Sequence, residues 1–110
     1  MIDRDRLHLF RILDCIEWTY AVTAEGKVVF LAQRLVQDAA IRNIEVIGAA
    51  AALLPEAVTA PQAALWARVG ALGRQLAGQI FDVDLDALWA LIAVDLAPLE
   101  AEVRRLMADR

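Results

Sequence analysis

Apolar residues recur at steps of three and four along the first part of the chain, from about Asp3 to Tyr20. Such spacing places them on one side of a helix, while the charged residues fall largely outside that stripe. The sequence therefore predicts a first amphipathic helix, which Glu25 and Gly26 end. Its apolar stripe consists of Leu9, Ile12, Leu13, Ile16 and Tyr20.

A longer periodic segment runs from about Lys27 to Leu54 and predicts a second helix with a wide apolar face. Ile41 and Val46 lie outside that face, so two surfaces of this helix need cover, and one of them is a candidate dimer interface. Pro55 ends the helix, because the residue before a proline avoids helical backbone angles. The apolar face consists of Leu35, Val36, Ala39, Ala40, Ile44, Ile47, Ala50, Ala51 and Leu54.

A third apolar pattern follows a short connector that contains Thr59 and Pro61. It predicts a helical region that is either continuous or split near Trp66 to Gly70. Three glycines inside the region, Gly70, Gly73 and Gly78, each cost about 1 kcal/mol relative to alanine, so each requires an explanation. The apolar pattern consists of Leu65, Val69, Leu72, Leu76 and Ile80.

The last apolar pattern begins after Asp84, whose short side chain suits it to cap a helix N-terminus. Pro98 lies inside this pattern and predicts a kink, because proline has no backbone N–H to donate. The stripe consists of Leu85, Leu88, Trp89, Ile92, Leu96, Leu99, Val103 and Leu106. No alternation typical of strands occurs. The patterns together predict an all-α fold, an antiparallel up-and-down bundle of four to five helices in one domain, residues 1–110.

The composition is unusually apolar for a chain of 110 residues: 60% of the residues are hydrophobic, although only 6% are aromatic. A domain of this size buries somewhat less than about 70% of its unfolded surface, which is enough for one core. The apolar excess, much of it alanine, indicates that part of the surface is buried against a second copy or a partner. We therefore expect a homodimer.

Charge and cysteine content narrow the function classes. The net charge is −4, from 15 acidic and 11 basic residues without a basic run, which disfavours nucleic acid as a partner. Cys15 is the only cysteine, so no internal disulfide forms, as is typical of a cytoplasmic protein. The sequence has no zinc-ligand spacing and no run of about 18 apolar residues, and we expect no metal, no cofactor and no membrane span.

Several short motifs occur in a fixed order along nearly the whole chain. They are Asp3-Arg4-Asp5-Arg6-Leu7, Gln37-Asp38-Ala39-Ala40-Ile41-Arg42-Asn43-Ile44-Glu45-Val46-Ile47-Gly48, Trp66, Phe81-Asp82-Val83-Asp84-Leu85 and Leu88-Trp89. In this order they resemble the HEPN superfamily, specifically the HepT-like proteins that are encoded beside minimal nucleotidyltransferases. The resemblance is most specific in the second motif, and it implies a HEPN helical bundle.

The resemblance also implies where an active site would lie. Relatives of this kind are metal-independent ribonuclease toxins with the signature Arg, four residues, His, one residue, Tyr, placed just before the Phe-x-Val-Asp motif. These slots hold Gly73, Gly78 and Ile80 here, so all three functional side chains are absent. Cleavage through the ribose hydroxyl needs a proton carrier and a cation, which histidine and arginine supply. The resemblance therefore implies a degenerate ribonuclease.

Two further departures from the family pattern point the same way. In the family the partner transferase silences the toxin by adding adenylate to the tyrosine of the signature, and Ile80 has no hydroxyl to receive it. Ala49 stands where relatives often carry glutamate after the Ile-Gly pair.

Asp38, Arg42 and Glu45 are candidate binding or interface residues. They are spaced by four and three residues, so they can form a row of surface ion pairs worth a few tenths of a kcal/mol, about 0.2–0.5 per pair. In the family this polar region lies close to the cleft between subunits. An ion-pair or interface role is therefore favoured over chemistry.

The other candidate binding or interface residues, Gly70, Arg74 and Ala77, lie in the third predicted helical region. Gly70, Gly73 and Ala77 form a strip of small residues that either lines a pocket or lets another helix pack closely, and we favour close packing. Arg74 is able to hold a phosphate, but one position along a helix rotates a side chain by about 100°. It is therefore expected to face away from the direction of position 73.

His8, the only histidine, has no matched partner in a catalytic motif, and we interpret it as a surface residue of the first helix. Cys15 lies beside the apolar stripe and is expected to be a small core or interface residue. Trp66 and Trp89 match core positions of the family. Trp18 lies off the stripe and is a candidate interface anchor.

These observations favour a catalytically degenerate HepT-like protein that acts as a dimeric binding module for a minimal nucleotidyltransferase, in a system of the toxin–antitoxin type. The transferase follows from the resemblance alone. Two alternatives stay open. One is a ribonuclease with a noncanonical site that uses Arg42, Arg74 or His8 across the dimer. The other is a dimeric scaffold without a transferase partner.

Overall fold

Helices make up 87% of the computed structural model, which describes residues 3–79 and 82–109, and these residues contain no strand. The predicted all-α fold is confirmed, with four long helical segments. The helices are α1 (Asp3–Val22), α2 (Lys27–Ala32), α3 (Arg34–Ala51), α4 (Glu56–Thr59), α5 (Ala63–Gly78), α6 (Leu85–Ala90) and α7 (Leu96–Ala108). A 3₁₀ turn (Ala60–Gln62) precedes α5, and a π-helical turn (Leu91–Asp95) joins α6 to α7.

The helix α3 is central, because it packs against both α1 and α5, while α1 also packs against α7. The apolar stripes predicted for these helices supply most of the core. Residues with no exposed surface include Leu9, Ile12, Ile16, Ile44, Ile47, Val69, Leu96, Leu99 and Val103. The start of α1 contacts the end of α7, where Arg6 Nη1 donates a hydrogen bond of 3.1 Å to the carbonyl of Met107. Further along α1, Glu17 forms an ion pair of 3.2 Å with Arg104, which lies earlier on α7. The helices α1 and α7 therefore run antiparallel.

The predicted second helix is divided, so the expectation of one helix from Lys27 to Leu54 is wrong. Gln33 has extended backbone angles, φ −119° and ψ 112°, and separates α2 from α3. The side chain of Gln37 compensates for the break, because its Nε2 donates to the carbonyls of Phe30 and Leu31 at 2.9 and 3.2 Å. The break lets Phe30 enter the core, where its ring lies 5.2 Å from that of Trp89.

Leu35, which the periodicity places on the apolar face of this segment, is not buried in the core. Leu35 is 83% exposed, because it sits in the first turn of α3, beyond the elements that cover the rest of that face. Val28 on α2 is exposed to the same extent, at 82%. The corner between α2 and α3 therefore carries two apolar side chains in solvent.

The helix α5 runs without interruption from Ala63 to Gly78, so the open alternative of a split near Trp66 to Gly70 is not realised. The cap predicted at Asp84 is present: its Oδ1 accepts a hydrogen bond of 3.0 Å from the amide of Ala87. The π turn before Pro98 contains Val94, the residue to whose carbonyl a helical N–H at position 98 would donate, and proline has no N–H to make that bond.

Within the part of the chain that the structure describes, no single helix has the length and hydropathy of a membrane span. The helix α3 and the segment Glu56–Gly78, taken together, have the length and hydropathy of a span, but the chain bends by 117° between them.

A candidate binding groove between α3 and α5

The helices α3 and α5 touch through two glycines. A β-carbon placed on Gly73 would stand 3.0 Å from the α-carbon of Gly48 and 3.3 Å from the carbonyl oxygen of Ile44. Placed on Gly48, it would stand 3.1 Å from the α-carbon of Gly73. Backbone atoms at these distances leave no space for a side chain at either position unless the helices move apart. The structure thus shows close helix packing at Gly73.

Gly78, the last residue of α5, has different surroundings. A β-carbon there would meet no atom of the described residues within 4 Å. Packing therefore excludes a side chain at position 73 but not at position 78. Ile80, the third slot of the family signature, lies outside the described residues.

Gly70 and Arg74 occupy the adjoining side of α5. A β-carbon on Gly70 would stand 3.3 Å from Nη1 of Arg74. The side chain of Arg74 therefore folds back along its own helix, and its guanidinium lies over Gly70. A larger residue at position 70 would crowd the guanidinium. As expected from the rotation along a helix, Arg74 does not share the direction of Gly73, which is buried against Gly48.

Arg74 and Gly70 line a pocket of about 260 Å³ between the C-terminal half of α3 and the N-terminal half of α5. We call it the α3–α5 pocket. Its other lining residues are Gly48, Ala51, Ala52, Thr59, Ala63, Trp66 and Ala67. Ala77, one turn beyond Arg74, is exposed and does not line it. The structure therefore brings two of the three candidates on α5 into one pocket.

Trp66 forms part of the pocket wall and is only 5% exposed, which agrees with its predicted core position. Its indole Nε1 is buried without a hydrogen-bond partner among the described residues. Buried indole N–H groups usually find an acceptor. The sequence gives no sign of this unmatched donor, because the missing acceptor is a property of the packing around it.

The candidate residues on α3 are arranged differently from the predicted ion-pair row. Asp38 pairs with Arg34, one turn earlier, at 3.6 Å, and not with Arg42. Arg42 is exposed and Glu45 half-buried, and neither forms an ion pair with another described residue. Arg34 lies four residues before Asp38 and Arg42 four residues after it, so spacing alone does not decide which arginine Asp38 pairs with.

Arg42 acts electrostatically on Cys15, which is buried in the core as expected. Burial raises the pKa of the Cys15 thiol, the carboxylate of Asp14 raises it further, and the guanidinium of Arg42 partly offsets both. A thiol with a raised pKa is protonated near neutral pH and is a weak nucleophile. Cys15 is therefore a packing residue.

His8 is only 6% exposed, so the interpretation of it as a surface residue is wrong. It lies four residues before Ile12 and so continues the buried stripe of α1. Its Nδ1 has no hydrogen-bond partner among residues 3–79 and 82–109, and His8 does not line the α3–α5 pocket.

A larger hollow, of about 510 Å³, lies between α5 and the π turn. The only cation in its lining, Arg68, is already neutralised by Asp95, with Nη2 3.1 Å from Oδ1. Its walls are otherwise apolar, with Leu72, Leu91 and Val94 among them. Although this hollow is larger, the α3–α5 pocket is the better candidate site, because Arg74 in its lining forms no ion pair with another described residue.

The residues that the structure describes contain no group of three His, Cys, Asp or Glu side chains placed to hold a metal ion. The family described as Ribonuclease HepT-like has a sequence model that matches residues 12–106, which is most of the chain. That family is part of the HEPN superfamily. No solved structure matches the chain.

Proposed function

The chain belongs to the HepT-like ribonuclease family, and we propose that within it this protein is a catalytically degenerate member that acts as a dimeric binding module. The single observation that carries the proposal is the contact between Gly73 and Gly48. In our proposal, position 73 corresponds to the arginine of the family signature. Here it holds a glycine that packs against Gly48, so no cation is present at this position.

The chemistry of RNA cleavage explains why this contact matters. A ribonuclease that attacks through the ribose hydroxyl needs a group that moves protons near neutral pH and a cation for the developing phosphorane charge. Gly73 and Gly78 stand in the arginine and histidine slots and have no ionisable side chain. A β-carbon on Gly73 would stand 3.0 Å from the α-carbon of Gly48, so the packing at this position also leaves no space for the side chain of a neighbouring arginine.

The alternative of a noncanonical ribonuclease site requires other ionisable residues to converge. Of the three named candidates, Arg74 lines the α3–α5 pocket, whereas His8 is buried in the stripe of α1 and Arg42 lies outside the pocket lining. Within one copy, the α3–α5 pocket therefore holds only one of the three. The test is incubation of the purified protein with total RNA and short oligonucleotides, where we expect no cleavage above the buffer control. Cleavage that Arg74→Ala abolishes would contradict the proposal.

The proposed dimer is supported by the apolar side chains that one copy leaves in solvent. Along α1 these are Leu7, Phe10 and Trp18, at 47%, 57% and 58% exposure. Large exposed apolar patches mark interaction surfaces. Equilibrium sedimentation of the purified chain is expected to give twice the monomer mass of 12.1 kDa.

The proposed partner, a minimal nucleotidyltransferase, follows from family membership. It is tested by co-expressing the chain with the product of the adjacent reading frame and purifying one through an affinity tag on the other. We expect the two to co-purify in a fixed ratio. A chain that stays dimeric but retains no transferase would instead support the scaffold alternative.

A further inference from the structure

Six side chains of α1 follow the seven-residue repeat of helices that pack side by side. They are spaced alternately by three and four residues, all are exposed, and none belongs to the buried stripe of α1. We call this set the α1 seam, and it consists of Arg4, Leu7, Arg11, Asp14, Trp18 and Ala21. A repeat of this kind on the outside of one copy is suited to contact with a second helix.

The C-terminal half of the seam contains a hollow with the layout of a helix-packing site. Its lining residues are Asp14, Glu17, Trp18 and Ala21, which stand at positions i, i+3, i+4 and i+7. In helix pairs, residues at these positions form the hole that one side chain of the facing helix enters. The hollow therefore favours a helix as its occupant, with one side chain inserted between Asp14 and Ala21.

The middle of the seam holds two opposite charges that do not neutralise each other. Arg11 and Asp14 are three residues apart, yet neither forms an ion pair with any residue that the structure describes. Glu17, on the edge of the hollow, pairs with Arg104 of α7 at 3.2 Å and so has a partner within the chain. The seam therefore offers the guanidinium of Arg11 and the carboxylate of Asp14 to a facing helix.

Two copies of α1 match each other when they run antiparallel and are centred between positions 12 and 13. Arg11 then lies opposite the partner's Asp14, and Leu7 lies opposite the partner's Trp18. The same register places the partner's Leu7 over the hollow, between Asp14 and Ala21. A single register thus pairs opposite charges in the middle of the seam and apolar side chains on both sides of them.

Other arrangements of the two helices bring like charges together. In a parallel pair, Arg11 would face the partner's Arg11 and Asp14 the partner's Asp14, and like charges at such contacts repel. A shift of the antiparallel pair by three residues would place either the two Arg11 or the two Asp14 side chains opposite each other. Polar residues within a seam of this kind specify its register, so the charges favour one arrangement over these others.

We infer that the α1 seam binds the α1 seam of a second copy in antiparallel orientation, with Arg11 paired with the partner's Asp14. The interface uses the same surface of both protomers, so this ion pair occurs twice about the twofold axis. The inference rests on the proposed function in taking the chain to be a dimer. It adds the surface, the direction of the two helices and their register.

Charge reversal tests the contact between the two copies. Arg11→Asp and Asp14→Arg are each expected to weaken the dimer at least about tenfold, because each places two pairs of like charges across the interface. Arg74→Asp makes the same exchange at an exposed position of α5 and is expected to leave the dimer unchanged. Sedimentation at several concentrations measures the affinities. No loss in Arg11→Asp, or an equal loss in Arg74→Asp, overturns the inference.

A mixture of the two reversed variants gives a sharper test. A heterodimer of Arg11→Asp with Asp14→Arg has opposite charges at both contacts, whereas each homodimer has like charges at both. Native mass spectrometry separates the three dimers by mass, and the heterodimer is expected to exceed the two homodimers combined at least about tenfold. Its formation also shows that both variants are folded. Equal amounts of heterodimer and homodimers, the statistical result, contradict the Arg11–Asp14 contact.

Cross-linking reports the direction of the helices. In this register Arg4 lies opposite the partner's Ala21, whereas the two copies of position 21 lie about 25 Å apart, at about 1.5 Å per residue. In a Cys15→Ser background, a mixture of Arg4→Cys and Ala21→Cys is expected to give a covalent dimer with a bismaleimide much shorter than that distance. Ala21→Cys alone is expected to stay monomeric under denaturing conditions. Equal cross-linking of Ala21→Cys alone would indicate parallel helices and overturn the inference.

These measurements separate the inference from the proposed function. A dimer that tolerates both charge reversals leaves the proposed binding module intact and places its interface on another surface. An unsubstituted chain that is monomeric at every concentration overturns the proposed dimer and this interface together.

Discussion

Gly48 on α3 and Gly73 on α5 touch through their backbones, so that a β-carbon on Gly73 would stand 3.0 Å from the α-carbon of Gly48. This contact explains why a glycine occupies the middle of α5 despite its cost of about 1 kcal/mol relative to alanine. It also fills the position at which our proposal places the arginine of the family signature. One packing relationship thus bears on stability and on the proposed loss of activity.

Gly73→Ala is expected to lower the free energy of unfolding. Overpacking costs about 1–3 kcal/mol, and the better helix propensity of alanine returns about 1 kcal/mol of that, so the net loss is about 1 kcal/mol. Gly78→Ala is the matched control on the same helix, because its β-carbon would meet no atom within 4 Å in the part of the chain that the structure describes. Urea unfolding should show the control to be unchanged or slightly more stable. A Gly73→Ala variant as stable as the control would contradict close packing.

Asp84→Ala is expected to destabilise the protein by about 1 kcal/mol, because the side chain caps α6 through its 3.0 Å hydrogen bond with the amide of Ala87. Asp86→Ala removes the same charge two residues later. Its side chain is exposed and makes only a 3.9 Å contact with Lys27, so its loss should cost less than about 0.5 kcal/mol. Thermal unfolding of both variants checks the cap, and equal losses would show that charge, not capping, matters.

Trp18→Glu is expected to weaken the proposed dimer by roughly thirtyfold or more, because truncating an aromatic anchor of an interface typically costs about 2 kcal/mol or more. The new carboxylate would add repulsion, since Asp14 and Glu17 line the same surface. Trp18 is 58% exposed in one copy, so the fold itself should not change. Sedimentation at several concentrations measures the effect. A variant that stays fully dimeric would place the interface elsewhere.

Alkylation of Cys15 by iodoacetamide is expected to be slow in the folded protein. Burial raises the pKa of its thiol, and a raised pKa lowers the thiolate fraction at any given pH. The rate should therefore rise with pH along a curve displaced above that of free cysteine, whose pKa is about 8.5. The same reaction in urea provides the unfolded reference. Equal rates in the two states would mean that the thiol is accessible.

The helices and their buried sides could be predicted from the sequence because they depend on local properties. The stripe of α1 and the cap at Asp84 follow from residue type and spacing, while the core position of Trp66 follows from the resemblance to the family. The break at Gln33 could not, because it has no glycine or proline to mark it. It depends on Phe30 packing against Trp89, which lies far away in the sequence.

The candidate site shows the same division. Spacing places Gly70, Gly73 and Ala77 in one strip and turns Arg74 away from Gly73, but it does not decide which of these residues line a pocket. His8 was misassigned because a single polar residue type says little about burial when the elements around its helix are unknown. It is buried since it continues the stripe that those elements cover.

The sequence by itself determined the helical class, the apolar stripes and the absence of an ionisable group at Gly73 and Gly78, because periodicity and residue chemistry are written in the chain. Only the tertiary structure decided that Gly73 packs against Gly48, and that Arg74 and Trp66 line one pocket. The physical reason is that close contact and the shape of a pocket depend on distances between α3 and α5, which no spacing along one helix contains.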